Sequence, residues 1–505
     1  MTRLTLPLAA VSALCAACNP PAQAGSSPPP DVPAVDEMPV EGPEAEPEVA
    51  EPAAPAPPRT YRVAERRIDV WSAPDKGSTL RGHIDAERPF EVLDLAAAPA
   101  DASCKAGWAA LPAKGYACLD RTTATEAQPV AQPELVTYDP PEPDEFAHYI
   151  ETGEYDHNQP LAIVPSVYAK RWKRFKGKLY ASLDAWNDEK APVGRLLGGA
   201  GNKYHFTEIR ETDRGPVLIR DDGQVAALDD VYLYPVSRLE GQDLEANPVP
   251  EGMMAAFAIG YDGTAVWPTP EAPPIPDDPA DVVEPPLRIP YHSPLLVKKE
   301  PATPDGRWFV VPDALGEGVD GYVNDYRGIR HTVGLHEPRP SGVDDDELWI
   351  DVELNQQVLQ LWKGDELVWF TLVSTGAAPM GTPRGVVTIT DKMATKTMRS
   401  RPDAEDQYMV EDVPWTIHWR PSYAIHGAYW HWGFGRTASH GCINMAPKDV
   451  KTVWDKIGPE IPAGWHTSWA TEEAPGTVLQ IRRKGLPTPE KRPEVQVAAN
   501  GATNQ

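Results

Sequence analysis

The sequence has no apolar run of the roughly 20 residues that a helix needs to cross a bilayer, so no spanning segment is expected in the mature protein. Positive charge is also scarce. Its 47 Lys and Arg stand against 74 Asp and Glu, a net charge of −27, which argues against nucleic acid and anionic membrane surfaces as partners. From Asn19 to Pro58 there is no basic residue and almost no large apolar side chain, so this stretch cannot bury enough surface to fold. Common metal-ligand spacings are missing as well. His418, His426, His431, His440 and Cys442 form no Cys-x-x-Cys or His-x-x-x-His pair, so no metal is expected.

What is there begins with length: 505 residues hold about three or four domains, and 57 prolines assign much of the chain to linkers. At the N-terminus Arg3 precedes the apolar run Leu4 to Ala17, which reads as an export signal over residues 1–18. Ala16-Ala17-Cys18 resembles a bacterial lipobox, with Cys15 where Leu is usual, so Cys18 is the expected lipidation site. Acyl chains there would anchor the protein to a membrane without a spanning helix. The alternative is an ordinary secretory signal. Residues 19–59 are then a Pro, Ala and Glu tether, extended at up to ~3 Å per residue and reaching roughly 100 Å.

The five cysteines fit export: Cys15 leaves with the signal, Cys18 takes lipid, and Cys104 pairs with Cys118, leaving Cys442 alone. Between residues 60 and 121, short strand-like runs broken by turns (Ile68 to Trp71, Phe90 to Leu93, Gly107 to Ala109, Gly115 to Leu119) resemble a bacterial SH3-like small barrel. An echo follows over 253–335. Val266-Trp267-Pro268 answers Val70-Trp71-Ser72, Arg307-Trp308 answers Gly107-Trp108, and Gly321-Tyr322-Val323 answers Gly115-Tyr116-Ala117. Residues 161–245 hold a more divergent module after a linker at 122–160. Trp71, Trp108, Trp267 and Trp308 either line ligand grooves or fill small cores, and core filling is the preferred reading. Alternating runs from Leu348 onward (Gln357 to Trp362, Leu367 to Ser374, Val386 to Thr390, Trp415 to Trp419, Val478 to Arg482) predict a β-rich domain over 346–484, with 485–505 an unstructured tail.

The chemistry concentrates in Ala424 to Asn444, where His426, Ser439, His440 and Cys442 flank a Gly- and aromatic-rich loop. A thiol of pKa about 8.5 is only a few per cent ionised near neutrality, so a cysteine nucleophile needs a base or a cation beside it. His440, two residues from Cys442, projects on its face if the backbone is extended, and His426 reaches it only if the loop folds back, so spacing leaves the base open. Gly441 lets the N–H groups of Gly441 and Cys442 approach a reacting carbonyl as an oxyanion hole. Pro447 to Ile457 reads as a helix with Val450, Val453, Trp454 and Ile457 on one stripe; its N-terminal end, if aimed at the sulfur, would lower the thiol pKa.

With Ile425-His426-Gly427, Ser439-His440-Gly441-Cys442-Ile443-Asn444 and Gly381-Thr382-Pro383-Arg384-Gly385 in that family's arrangement, about Leu348 to Arg482 resembles the L,D-transpeptidase (YkuD-like) catalytic domain family. Val386 and Val387 depart from the aromatic common in relatives. The resemblance implies a mostly β multidomain chain: SH3-like barrels, then a β-rich transpeptidase domain with a short helix after the nucleophile. It implies Cys442 as nucleophile and His426 as base, the base held by the carbonyl of Gly427. His440 and Ser439 shape the site, and Tyr429, with Trp430, Arg436 and Asn444, surrounds the substrate. The partners implied are peptidoglycan peptide stems, with wall glycan on the SH3-like modules, and no cofactor is required. Two other readings stay open: hydrolysis of the same bond by a carboxypeptidase or amidase, and a non-catalytic wall-binding lipoprotein at the periplasmic face.

Overall fold

The computed structural model describes residues 59–129, 167–171, 177–197, 202–234, 237, 239–273, 282–334, 339–400, 407–486 and 488. The signal with Cys18, the tether up to residue 58, the linker from residue 130 to 160 and the tail from residue 489 lie outside them. Among the described residues no helix is long and apolar enough to cross a membrane.

The chain is mostly β, and its three small units share one pairing scheme. In the first, the strand Thr60–Ala64 pairs with both Pro89–Val92 and Thr122–Thr125. In the second, Val167–Arg171 pairs with Asn202–Phe206 and Val231–Leu233. In the third, Met253–Ala258 pairs with Pro294–Lys298 and Ile329–His331. The first unit therefore runs past the expected boundary at 121, because β-branched Thr122 and Thr123 continue the ladder against Ala64 and Val63. The echo between first and third units extends to register. Trp71 pairs with Tyr116 and Trp108 with Cys118, while Trp267 pairs with Tyr322 and Trp308 with Asn324.

The last domain is one curled sheet. From Gly385–Thr388 it passes through Val478–Arg482, Leu348–Glu353, Val358–Lys363 and Glu366–Ser374 to Ile443–Met445. It then continues through Tyr423–Gly427 and Met409–Arg420 to Asp391–Arg399 and Thr467–Trp469. Asp391–Arg399 escaped the sequence reading because its Lys and Thr side chains mask the apolar alternation. The helix Pro447–Lys456 starts at Pro447 and packs Val450, Val453 and Trp454 onto Ile425, Ile443 and Met445. Burying each such aliphatic side chain stabilises the fold by ~1.5 to 3 kcal/mol.

The small units are joined to this sheet by backbone pairing. Gly82 and His83 of the first pair with Ser468 and Thr467. Asn202 and Lys203 of the second pair in parallel with Met409 and Val410. Gln242 and Asp243, expected within the second module, instead pair with Phe370 and Trp369 of the last domain's sheet.

Candidate active site

Cys442 stands immediately before the strand Ile443–Met445, which lies parallel to Tyr423–Gly427 in the register Ile425 to Ile443 and His426 to Asn444. That register sets Cys442 beside Ala424, with His426 two rungs farther along, roughly 7 Å on the strand rise. Residues two apart on a strand share a face, so the parallel pair brings thiol and imidazole to one side of the sheet. This is the folding back that spacing alone could not decide.

The Cys442 thiol is half-buried. It lies 3.9 Å from the Ser422 carbonyl oxygen. Burial pushes its pKa above the ordinary value, and the Ala424 N–H and the Lys396 ammonium pull the other way. His426 is fully enclosed, at 2% exposure. Its Nδ1 is 3.3 Å from Gly427 O, and since a carbonyl only accepts, Nδ1 carries the proton and Nε2 keeps its lone pair. Burial depresses its pKa to about 4, so the ring is a neutral base above that pH. Trp430 stacks on it, the ring centres 5.6 Å apart.

The backbone before Cys442 is bent, which separates His440 from the arrangement expected of an extended chain. Gly441 has φ +116°, and a Cβ there would meet Tyr423 Cε1 at 2.7 Å, so glycine is required twice over. His440 is exposed and stacks at 6.0 Å on Tyr408, whose own pKa is raised by burial and by the Cys442 charge. Ser439 fastens the bend: its hydroxyl donates to the Cys442 carbonyl and accepts the Gly441 N–H at 3.1 Å. That commits one of the two N–H groups expected for the oxyanion. Thr382 closes the other side, accepting from Gly376 N–H at 2.8 Å and donating to Gly441 O at 2.9 Å.

Two residues expected around the substrate are engaged elsewhere. Arg436 donates to Ile259 O at 2.8 Å and lies 4.7 Å over Tyr261, so it docks the third unit, an interaction distant in sequence. Asn444 is buried with its amide 2.9 Å from His431 Nε2. Tyr429 is also buried, with its hydroxyl donating to Glu411 O at 3.2 Å and its ring edge-on to Trp430. The helix offers no direct help to the thiol. A strand intervenes, and its first turn holds buried Asp449, which accepts from Gly241 N–H and Thr371 and whose pKa burial raises to about 7. Sequence reasoning missed Tyr408 and Lys396, which carry no motif and reach Cys442 only through the pairing of their strands.

Cys104 and Cys118 are disulfide-bonded. Among the described residues two clusters have metal-capable groups: one contains these bonded sulfurs, the other is His83, Asp85 and His466. At the latter, the Arg67 guanidinium donates to His83 Nδ1 at 2.8 Å. That puts the neutral ring's proton on Nε2, where a cation would need the lone pair.

No curated protein matches the chain. Among solved structures, the catalytic domain of an Enterococcus faecium L,D-transpeptidase is 21% identical, covering 27% of this chain and 98% of that one at TM-score 0.22. A crystal structure of a mutant Enterococcus faecium L,D-transpeptidase is also 21% identical, at TM-score 0.21. There the match takes in 28% of this chain and only half, 50%, of that one. L,D-transpeptidase 3 from Mycobacterium tuberculosis, bearing a faropenem-derived adduct, is 15% identical over 37% of this chain and 90% of its own, with TM-score 0.22. The family comparison matches residues 347–481 to YkuD, the L,D-transpeptidase catalytic domain. The segment 347–481 is therefore a YkuD-like L,D-transpeptidase catalytic domain by its family match.

Proposed function

We propose that this protein is a peptidoglycan L,D-transpeptidase that works by cysteine acyl transfer. The observation that carries the reading is the parallel pairing that sets Cys442 and His426 on one face, with His426 Nε2 left free by the Gly427 carbonyl. Cys442 attacks the carbonyl of the L-to-D amide in a tetrapeptide stem while His426 takes the thiol proton. The C–N bond breaks as that proton passes to the departing amine of D-Ala, leaving a thioester. An amine on a second stem then attacks the thioester, gives a proton to His426 and releases the sulfur.

The resting pair is a neutral thiol beside a neutral imidazole, because burial works against both charged forms. Lys396 is the cation that favours the thiolate as it forms. The Cys442 N–H is the oxyanion donor in this reading, since Gly441 N–H is held by Ser439. Export, the lipid anchor at Cys18 and a periplasmic location belong to the same proposal, the acidic tether letting the domain reach the wall.

The Mycobacterium tuberculosis relative carries a faropenem-derived adduct, so a penem or carbapenem is a fitting probe. Incubation of the intact chain with imipenem followed by mass spectrometry is expected to give a covalent adduct that Cys442→Ala lacks. Equal, unmodified masses for both proteins would overturn the nucleophile. With sacculi as substrate, 3→3 linked dimers are the expected product, and trimmed tripeptides alone would assign hydrolysis instead.

A further inference from the structure

The third small unit carries a groove of about 780 Å³ that the chemistry above does not use. Rings and guanidinium groups line it together: Tyr261, Trp267, Trp308 and Tyr326 with Arg307 and Arg327. Tyr326 is 73% exposed and Tyr261 55%, so these are not core aromatics.

The first unit shows what the second of these Trp positions does when closed. Trp108 there is fully buried against the Cys104–Cys118 bridge and donates its Nε1–H to Asp101 at 2.9 Å. In the third unit the register position of Cys118 is taken by Asn324. Its side-chain oxygen accepts the N–H groups of Tyr326 at 3.0 Å and Arg327 at 3.4 Å, building the turn that brings both into the groove lining. The backbone beside the ring is alike in both units, Trp308 O accepting the Ala302 N–H at 2.7 Å as Trp108 pairs with Ala98, so the difference lies in the surrounding side chains.

Charge selects the occupant. On a chain of net charge −27, this groove is lined by three arginines and one acid, Asp262. Arg288 is paired with Glu284 at 2.9 Å, whereas Arg307 is 72% exposed with Asp305 only at 3.7 Å. Guanidinium groups fit carboxylates bidentately, and flat aromatic faces stack on the C–H faces of sugar rings. The groove also adjoins the loop over the base: a Cβ on Gly433 would come within 3.1 Å of Tyr261 Oη, and Trp430 of that loop stacks on His426.

We propose that this groove docks a carboxylate-bearing glycan strand of peptidoglycan, a disaccharide with its acidic peptide stem, beside the nucleophile. The identity of the polymer rests on the function proposed above; the anionic glycan chemistry does not. Calorimetric titration of a soluble disaccharide-tetrapeptide into the full chain carrying Cys442→Ala reads the groove without acyl transfer. Arg307→Gln with Arg327→Gln is expected to weaken binding about tenfold or more, by loss of two charge-assisted contacts. Arg66→Gln with Lys114→Gln, an equal charge loss on the first unit, is expected to leave it unchanged. Equal weakening by both pairs, or by neither, would overturn the proposal. So would an uncharged chitooligosaccharide binding as tightly as the disaccharide-tetrapeptide, or a free stem peptide doing so. The two proposals fail separately: an imipenem adduct on Cys442 without groove binding leaves the enzyme and removes the groove. Groove binding without an adduct does the reverse.

Discussion

The first and third small units pair their strands alike and place tryptophan at the same two register positions, yet the first buries the second of its indoles, Trp108, while both indoles of the third stay half-exposed. Around Trp108 a disulfide and a carboxylate close the site, and 0% of the residue is exposed. Around Trp308 an asparagine replaces the cysteine, and arginines line the groove beside the ring. The backbone scheme therefore fixes where an indole sits, and a few neighbours fix whether it is core or surface.

The sharpest way to break this comparison is to delete each indole. Trp108→Ala is expected to destabilise the chain by ~3 to 5 kcal/mol, the range for emptying an aromatic site in a closed core. Trp308→Ala is expected to cost about 1 kcal/mol, since the ring is half in water. Urea denaturation of both variants measures the difference, and equal losses would mean that Trp308 is core and the groove an accident of packing.

This contrast was half legible in sequence. The Val-Trp echo located both units, and Cys442, His426 and the Ser-His-Gly-Cys run located the segment that matches the YkuD domain, because local motifs survive without long-range information. What failed depended on contacts between distant segments. Arg436 looked like a substrate residue until Tyr261 of another unit lay beneath it, and Asn444 until His431 took its amide. Lys396 and Tyr408 were invisible for the same reason. The preference for core at all four module tryptophans holds for Trp108, whereas Trp267 and Trp308 line a groove, and nothing local to the latter two shows which side chains surround the rings.

Next in size is the covalent bond. Replacing Cys104 and Cys118 by serine opens a loop with a sequence separation of 14, which chain entropy values at ~3 kcal/mol. The double variant is expected to lower the melting temperature of the chain, and dithiothreitol to do the same to the wild type. The groove in the third unit should keep its affinity for the disaccharide-tetrapeptide. Loss of that affinity on reduction would show that the two units are coupled rather than parallel solutions.

The smallest effect concerns Asp101. Its carboxylate accepts from the Ser103 hydroxyl, Trp108 Nε1–H and the N–H groups of Ser103 and Cys104, and these bonds hold its pKa down at about 2, the Ser103 hydroxyl contributing most. A depressed carboxylate stabilises the folded state only while it is ionised there. The benefit is full above the ordinary carboxylate value near 3.8 and disappears as pH falls through about 2. Asp101→Asn should therefore melt below the wild type at pH 5 to 7, and the two curves should meet as pH drops to about 2. Because the group is at the surface, solvent keeps the gap small. A gap that stays constant across that range would mean that Asp101 acts by shape alone, and that the bond to Trp108 is not part of what closes the first unit.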